Sequence, residues 1–374
     1  MEIFNDTGIE DENTESKAVL PKFIEAIMCI MYVAISIAAI GGNGIVCYIV
    51  MAYHRMRTVT NFFIVNLAVG DILMACLCIP FGFVSNLLLQ YWPFGSVMCV
   101  LVSYSQAVSV FISAYTLIAI SIDRYIAILY PLRPRMTKLQ AKIIIFVVWI
   151  VALLTPLPTA IMSRLGQPPD WIEKNITELY VCTEAWETDE QRYYYSMALM
   201  ILQYFFPLTV LIYTYTKIAI VVWVKRTPGE AEDARDQRMA ASKRKMIRMM
   251  ITCVTAYSLC WLPLNTFVLV GDQHPEIYKL PEIIYVWFVC HWLAMSHTCY
   301  NPLIYCWMNT KMRAGFQHVF RSVFCLRQST PKDLLEVTQI STVHYGHGQK
   351  ISGHPLSRKF THITNDGEKM YRIK

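Results

Sequence analysis

Residues 61–90 read NFFIVNLAVGDILMACLCIPFGFVSNLLLQ, a stretch of 30 residues in which Asp71 is the single charged side chain. A helix needs about 20 apolar residues to cross the hydrocarbon layer of a membrane, so this stretch can span it. Six further stretches without a charged residue flank it: 26–53, 91–122, 143–163, 193–216, 249–271 and 283–310. Their continuity favours helices over barrel strands, in which polar and apolar residues alternate over about 10 residues. We expect an all-α membrane protein with a seven-transmembrane helix bundle.

The composition of the whole chain agrees with this expectation. Of the 374 residues, 55% are hydrophobic and only 16% are charged, whereas soluble domains carry about 25% charged residues. Too few polar side chains are available to cover a water-exposed surface, which excludes an ordinary globular enzyme. The net charge of +6 would suggest a nucleic-acid partner only if the basic residues formed one binding surface.

The charges are instead divided between two sides of the predicted bundle. Lys and Arg are concentrated after the first, third and fifth stretches, which predicts that these connections are cytoplasmic. The segments on the other side contain 17 acidic and six basic residues, a net charge of −11, and the cytoplasmic segments reach +18. We therefore predict a multi-pass plasma-membrane protein with an extracellular N-terminus, a cytoplasmic C-terminus and no nucleic-acid partner.

Four regions follow from this arrangement. Residues 1–25 form an acidic extracellular N-terminus, 26–310 the transmembrane bundle, 311–325 a short amphipathic eighth helix, and 326–374 a cytoplasmic tail. The tail has few large apolar residues and many Ser and Thr, a composition typical of disorder. Residues 225–248 are expected to form a short third inner loop.

Two cysteines and two asparagines lie on the predicted outer side. Cys99 opens the third stretch and Cys182 lies in the longest outer loop, so we predict a disulfide that ties this loop to the bundle. Asn5 and Asn175 match the Asn-x-Ser/Thr pattern of glycosylation. On the inner side, Cys325 is either a free thiol or a palmitoylation site.

Asp71 is the most informative polar residue within the membrane. A charged group in hydrocarbon costs a few kcal/mol, so it is either satisfied by neighbouring hydroxyls and amides or forms a site for a cation or a protonation switch. Asn43, Ser113 and Asn301 fall at comparable depth on other stretches. These four residues are a predicted polar cluster, and Asp71 is a candidate sodium site.

Seven motifs occur one per stretch, in chain order: Gly42-Asn43, Leu67-Ala68-Val69-Gly70-Asp71, Asp123-Arg124-Tyr125, Trp149, Pro207, Cys260-Trp261-Leu262-Pro263 and Asn301-Pro302-Leu303-Ile304-Tyr305. Together they resemble the class A (rhodopsin-like) G-protein-coupled receptors over about residues 26–325. The prolines within helices favour kinks on which a bundle can pivot.

This resemblance implies a signalling mechanism. A ligand bound from outside would open a cytoplasmic cleft for a heterotrimeric G protein, and Arg124, Tyr215 and Tyr305 would line that cleft. The expected activation residues are Asp123, Arg124, Tyr125, Tyr215, Trp261, Pro263, Asn301, Pro302 and Tyr305. Phosphorylation of the tail by a receptor kinase would add roughly −2 per site and recruit arrestin; the alternative is an inert solvated tail.

The outer third of the bundle indicates the ligand class. Amine receptors resemble one another in an Asp at the position of Gln106, and opsins in a lysine at Met295, so an amine is disfavoured and retinal is excluded. Gln106, Gln203, Asp272 and His291 resemble the pocket of neuropeptide Y receptors and their invertebrate relatives, including RYamide receptors. There the acid pairs with an arginine near the amidated end of the ligand.

The resemblance therefore implies a neuropeptide that ends in Arg-aromatic-amide, with Trp261 as a further ligand contact. A carboxylate at Asp272 can form a charge-assisted bidentate pair with such an arginine. A neutral amide suits Gln and His, which both donate and accept hydrogen bonds.

Several alternatives remain open. Residues 290–300 are also similar to tachykinin and leucokinin receptors. A transporter or channel would show internal repeats or a stripe of intramembrane charge, and an enzyme would need a metal or nucleophile cluster, which His291 and His297 do not make. We expect no enzymatic activity, lipid as a partner, and no cofactor other than the candidate sodium ion, whose binding is in question because His297 stands where Asn or Ser is common.

Overall fold

The computed structural model describes residues 21–168, 171–172, 178–224, 234–280 and 282–323, together with the backbone of 364–365 and 368–369. The chain divides into two compact units, Met1–Val337 and Thr338–Lys374. The first unit contains a bundle of helices. In the second unit, two short strands, Thr364–Asn365 and Glu368–Lys369, pair antiparallel.

Eight helices make up the described part of the first unit. Their bounds are α1 Lys22–Ala52, α2 Val59–Leu89, α3 Gly95–Leu129, α4 Lys138–Met162, α5 Asp189–Trp223, α6 Ala234–Gln273, α7 Ile283–Met308 and α8 Thr310–Val323. Six of the first seven are long and apolar enough to cross a membrane, by length and composition. The remaining one, α7, has 26 residues without a charged side chain. The predicted all-α membrane fold is confirmed.

Local sequence signals set the starts of several helices. The side chains of Thr58 and Thr188 accept hydrogen bonds from the backbone N–H three residues later. Thr137 and Gln140 cap α4 reciprocally. Such caps satisfy backbone donors that have no partner within the helix. They explain why α2, α4 and α5 begin a few residues before the apolar stretches that predicted them.

The prediction of an inner loop over residues 225–248 is wrong from Ala234 onward. Helix α6 begins at Ala234 and runs for 40 residues through Pro263. The segment from Ala234 to Arg248 is rich in charged residues and in Ala and Met, which favour helix without being strongly apolar as a whole. A transmembrane helix therefore continues past the hydrocarbon, and hydropathy alone does not mark its end.

The outer loop between α4 and α5 contains a β-hairpin. Strands β1 (Ser163–Gly166) and β2 (Val181–Glu184) pair antiparallel, with Leu165 opposite Cys182. A disulfide joins Cys182 to Cys99 in the first turns of α3, with the two Cα atoms 5.5 Å apart. The backbone N–H of Trp92 also donates to the carbonyl of Tyr180 at 2.7 Å. The predicted disulfide is confirmed, and it fixes the hairpin at the outer end of the bundle.

All eight helices contribute residues to the main buried core. Trp149 of α4 donates to the amide oxygen of Asn66 at 2.8 Å, and the amide nitrogen of Asn66 donates to Thr116 at 2.8 Å. This chain of hydrogen bonds joins α4, α2 and α3. At the close approach of α1 and α7, a Cβ on Gly42 would lie 2.9 Å from the Cβ of Pro302, so glycine allows these helices to approach.

Candidate functional site

Asp272 lies at the outer end of α6, where a carboxylate oxygen is left without a partner. The Oδ2 atom is buried and makes no hydrogen bond with any residue that the structure describes. Arg192, near the start of α5, lies close enough to act on this carboxylate electrostatically. A buried carboxylate oxygen without a donor is costly, so Asp272 is prepared to receive a donor from outside the chain.

Tyr278 forms one wall beside this carboxylate. It belongs to the short 3₁₀ segment Pro275–Lys279, and its hydroxyl occupies the space that a side chain on Gly271 would fill. Partial burial, together with the negative charge of Asp272, raises the pKa of the Tyr278 phenol. Arg192 in turn lies 3.9 Å from the exposed Asp189. Tyr278 and Arg192 therefore lie beside the Asp272 carboxylate and limit access to it.

Gln106, Gln203 and Trp261 lie deeper, on α3, α5 and α6. Gln203 occupies a π-helical segment, Ile201–Phe205, and its side-chain Oε1 is buried without a hydrogen-bond partner among the described residues. The indole N–H of Trp261 is also buried without a hydrogen-bond partner among the described residues. Gln106 is half-buried. The five predicted ligand contacts come from four helices, because Asp272 and Trp261 share α6 and His291 lies on α7. Within the described ranges, no hydrogen bond joins any two of them.

His291 faces α1 as well as the interior. The hydroxyl of Tyr32 lies 2.6 Å from its Nδ1, and the ring of Trp287 stacks on it with centroids 4.5 Å apart. Both Tyr32 and His291 are buried. One imidazole nitrogen is therefore used within the protein, and at most the other is free for a ligand. Tyr32, which the sequence analysis missed, orients this ring.

The predicted polar cluster is partly assembled. Asp71 is 1% exposed; it accepts hydrogen bonds from Asn301 Nδ2 at 3.0 Å and from Ser113 Oγ at 3.5 Å. Asn43 instead donates to the backbone carbonyls of Ala39 and Thr298, and its Oδ1 has no partner in the described part of the chain. Asp71, Ser113 and Asn301 are brought together, whereas Asn43 makes no hydrogen bond to Asp71.

His297 completes this cluster. Its Nε2 lies 3.7 Å from Asp71 Oδ1, and its ring contacts those of Trp261 and Tyr257, with centroids 5.4 and 5.7 Å apart. Tyr257 donates to the backbone carbonyl of Gln203 at 3.0 Å. A continuous series of contacts therefore leads from Gln203 to Asp71. The signal was available in the sequence, because His297 and Asn301 are four residues apart and share a helix face.

At the end of α3 that the charge distribution predicts to be cytoplasmic, Asp123 holds Arg124. The guanidinium donates to the Asp123 carboxylate through Nε at 3.0 Å and through Nη2, and Thr60 of α2 donates to the same carboxylate at 3.4 Å. Arg124 also approaches α6, where its Nη1 lies 3.6 Å from the sulfur of Met246. The tyrosine of the motif, Tyr125, contacts the ring of Tyr213 on α5.

Two of the remaining predicted activation residues line a small apolar cavity. Tyr215 of α5 and Tyr305 of α7 line it, and the hydroxyl of Tyr215 is buried without a hydrogen-bond partner in the described ranges. Pro263 lies within α6 and Pro302 within α7. Each proline removes one backbone donor from the hydrogen-bond ladder of its helix, which favours a bend at that point.

Three predicted modification sites fall outside the described residues: Asn5, Asn175 and Cys325. Their glycosylation and palmitoylation stay predictions. In the described part of the chain, no three His, Cys, Asp or Glu side chains group as a metal site.

Comparison with known proteins agrees with this geometry. The model of one protein family, 7 transmembrane receptor (rhodopsin family), matches residues 42–305 of this chain. The RYamide receptor of Drosophila melanogaster is 53% identical over 308 residues, which cover 82% of this chain and 66% of that receptor. The RYamide receptor of Tribolium castaneum is 49% identical over 303 residues, 80% of this chain and 81% of that receptor. The tachykinin-like peptides receptor 99D of D. melanogaster is 37% identical over 317 residues, covering 83% and 60%.

The chain belongs to the rhodopsin family of seven-transmembrane receptors, a receptor family and not an enzymatic one. It is accordingly a multi-pass protein of the plasma membrane. Its identity to the two insect RYamide receptors exceeds its identity to the tachykinin-like receptor by 12 percentage points or more.

Proposed function

We propose that this protein is a receptor for an amidated neuropeptide of the RYamide type, which ends in arginine, an aromatic residue and an amide. The observation that carries the proposal is the buried, unpartnered Oδ2 of Asp272. An arginine of the peptide would supply the missing donors in a charge-assisted pair, which is stronger than a neutral hydrogen bond. The names of the two insect relatives support this choice of peptide.

The deeper polar groups suit the amidated end. Gln203 Oε1 and Trp261 Nε1 are buried without partners in the described ranges, one as an acceptor and the other as a donor. A primary amide both donates and accepts, so it can satisfy both kinds of group. A free carboxylate could not donate to Gln203, and the proposal therefore requires the amide.

Ligand binding would be transmitted to a G protein on the other side. The contacts from Gln203 through Tyr257 to Trp261 and His297 connect the proposed pocket with Asp71. At the cytoplasmic end, Arg124 is held by Asp123 and would be released when α6 moves away. This proposal places the N-terminus outside and the C-terminus inside, as the charge distribution predicts. Arrestin, a receptor kinase and lipid are proposed partners of the tail and α8.

A reciprocal charge exchange tests the proposed pair. In cells that express the receptor, Asp272→Arg should abolish the response to a peptide with arginine before its terminal aromatic amide. A peptide with glutamate in place of that arginine should be inactive on the unchanged receptor and should recover activity on Asp272→Arg. The readouts are calcium and cyclic AMP, since the G-protein subtype is not specified by these residues.

Asp189→Arg is the matched control. Asp189 lies at the same outer end, but its side chain is 99% exposed and has Arg192 at 3.9 Å, so its substitution should leave potency nearly unchanged. The pairing is disproved if Asp272→Arg retains full potency while it is expressed at the cell surface. If amidated peptides without the arginine are equally potent, the tachykinin-like alternative is favoured.

A further inference from the structure

The imidazole of His297 stands between two groups that the activation mechanism uses. One side of the ring meets Trp261 and Tyr257, and Nε2 on the other side lies 3.7 Å from Asp71 Oδ1. His297 is 3% exposed. The ring thus occupies the space next to a carboxylate in the transmembrane interior.

The hydrogen-bond partners of the His297 ring determine which of its nitrogens carries a hydrogen. Nδ1 lies 2.6 Å from the backbone carbonyl of Ala294, and a carbonyl oxygen only accepts, so Nδ1 carries a hydrogen. Nε2 has no hydrogen-bond partner among the described residues and faces the carboxylate. With a hydrogen also on Nε2, the ring is an imidazolium that faces Oδ1 at 3.7 Å. The imidazole and the carboxylate together then carry no net charge.

The groups around Asp71 do not fit a sodium ion. Hard cations take oxygen ligands, whereas imidazole nitrogen suits zinc, copper and similar metals. Asn301 presents its amide nitrogen to Asp71 Oδ2, and the amide nitrogen of Asn43 is used by the Ala39 and Thr298 carbonyls. Ser113 Oγ is the one side-chain oxygen within hydrogen-bond distance of Asp71 in the described chain. Asn301 and His297 turn nitrogens toward this carboxylate, at positions where a hard cation would need oxygens.

We propose that His297 takes the place of a sodium ion at Asp71, so that the resting state of this receptor is independent of sodium. The imidazole neutralises the buried carboxylate from within the chain. Because the same ring packs against Trp261, any displacement of Trp261 acts on Asp71 directly, without the release of an ion. This inference concerns the ligand-free receptor and does not depend on the identity of the peptide.

Thermal unfolding of the purified, ligand-free, full-length receptor tests the proposal. Melting temperatures are compared in sodium chloride and in choline chloride at equal ionic strength. The unchanged receptor should melt at the same temperature in both salts. His297→Ser, which supplies an oxygen and opens the space, should melt roughly 2–8 °C higher in sodium, because a ligand that binds only the folded state stabilises it. The double variant His297→Ser, Asp71→Asn should lose this difference.

Sodium-specific stabilisation of the unchanged receptor, abolished by Asp71→Asn, would overturn the proposal. So would a His297→Ser receptor that folds and shows no preference for sodium, since His297 would then not be what excludes the ion. If His297→Ser does not fold, His297→Asn serves in its place. The comparison of the two salts on the unchanged receptor tests its independence of sodium without any variant. A merely structural role of His297 would lower both melting temperatures equally.

Discussion

Asp71 is a fully buried carboxylate, whereas Asp272 is a half-buried one with a single oxygen, Oδ2, shielded from water. Asp71 lies in the transmembrane interior, and three side chains from α3 and α7 surround it: Ser113, Asn301 and His297. Asp272 lies at the outer end of α6, and its Oδ2 has no hydrogen-bond partner among the described residues. Arg192 acts on it electrostatically, while the described ion pair of Arg192 is with Asp189.

The difference separates a carboxylate whose partners lie within the protein from one that is proposed to pair with a ligand. A group whose partners are all internal contributes to the packing of the native state, and its loss leaves those partners unsatisfied. A group with an unpaired buried atom costs stability, and such strain persists at functional sites. The number of internal partners, and not burial alone, distinguishes the two roles.

Removal of each carboxylate should therefore affect stability very differently. Asp71→Ala leaves the donors of Asn301 and His297 without an acceptor, and it should lower the free energy of unfolding by about 3–5 kcal/mol. Asp272→Ala removes no internal hydrogen bond that the structure describes at Oδ2, and because an unpaired buried oxygen is costly, it should leave stability unchanged or raise it by up to about 1 kcal/mol. Thermal unfolding in detergent measures both. Equal losses in the two variants would invalidate the distinction.

Peptide potency should show the opposite order. Asp272→Asn keeps the shape of the side chain but removes its charge, and loss of one partner of a buried charged pair costs about 2 kcal/mol or more, roughly 30-fold in potency. Asp189→Asn, at the exposed control position, should change potency less than about threefold, an effect below about 0.7 kcal/mol. Concentration–response curves at matched surface expression give the comparison. A potency loss at Asp189 as large as that at Asp272 would show that only overall charge matters.

His291 is an intermediate case, with one nitrogen held by Tyr32 and the other not assigned to a partner. Tyr32→Phe removes the 2.6 Å contact but keeps the ring packing against Phe83. Loss of one hydrogen bond costs about 0.5–1.5 kcal/mol, so potency should fall about three- to tenfold as the imidazole loses its orientation. Tyr48→Phe, at an exposed position of the same helix, should have no effect. A null result at Tyr32 would remove His291 from the binding site.

The smallest expected effect concerns long-range attraction. The outer segments carry a net charge of −11, and such a field accelerates the association of a cationic peptide. Raising ionic strength with choline chloride should slow association a few-fold, because exposed charges are screened. The dependence of the association rate on ionic strength should be similar for Asp272→Asn, since this variant loses one charge of many. Its dissociation rate, in contrast, should rise sharply. Radioligand association and dissociation rates separate the two effects.

Much of this structure could be predicted from the sequence. The seven helices follow from apolar length, and the disulfide follows from the placement of Cys99 and Cys182 on one side. The contact of Asp71 with Ser113 and Asn301 follows from their common depth. These features depend on the membrane, whose thickness imposes a single length scale on the chain.

Other features depend on side-chain directions that one sequence does not reveal. The amide of Asn43 is taken by backbone carbonyls, although its depth suggested a contact with Asp71. Tyr32 was not predicted as a site residue, because a tyrosine on an apolar helix face looks like packing. His297 was expected near the candidate sodium site, but its contact with Asp71 was not. The start of α6 was missed because its first turns are polar yet favourable for helix. The residues proposed to carry the ligand or the signal are therefore the least predictable.

The length of α6 determines how far a small rotation reaches. Pro263 interrupts the helix near its outer end, and Ala234 is 29 positions away in the same helix, which is about 43 Å at a rise of 1.5 Å per residue. A bend of about 10° at Pro263 would therefore displace the far end by about 8 Å, comparable to the distance of about 8–10 Å between the axes of packed helices. A small adjustment around Trp261 would thus be enlarged along α6 into an opening of the size that the proposed G-protein coupling requires.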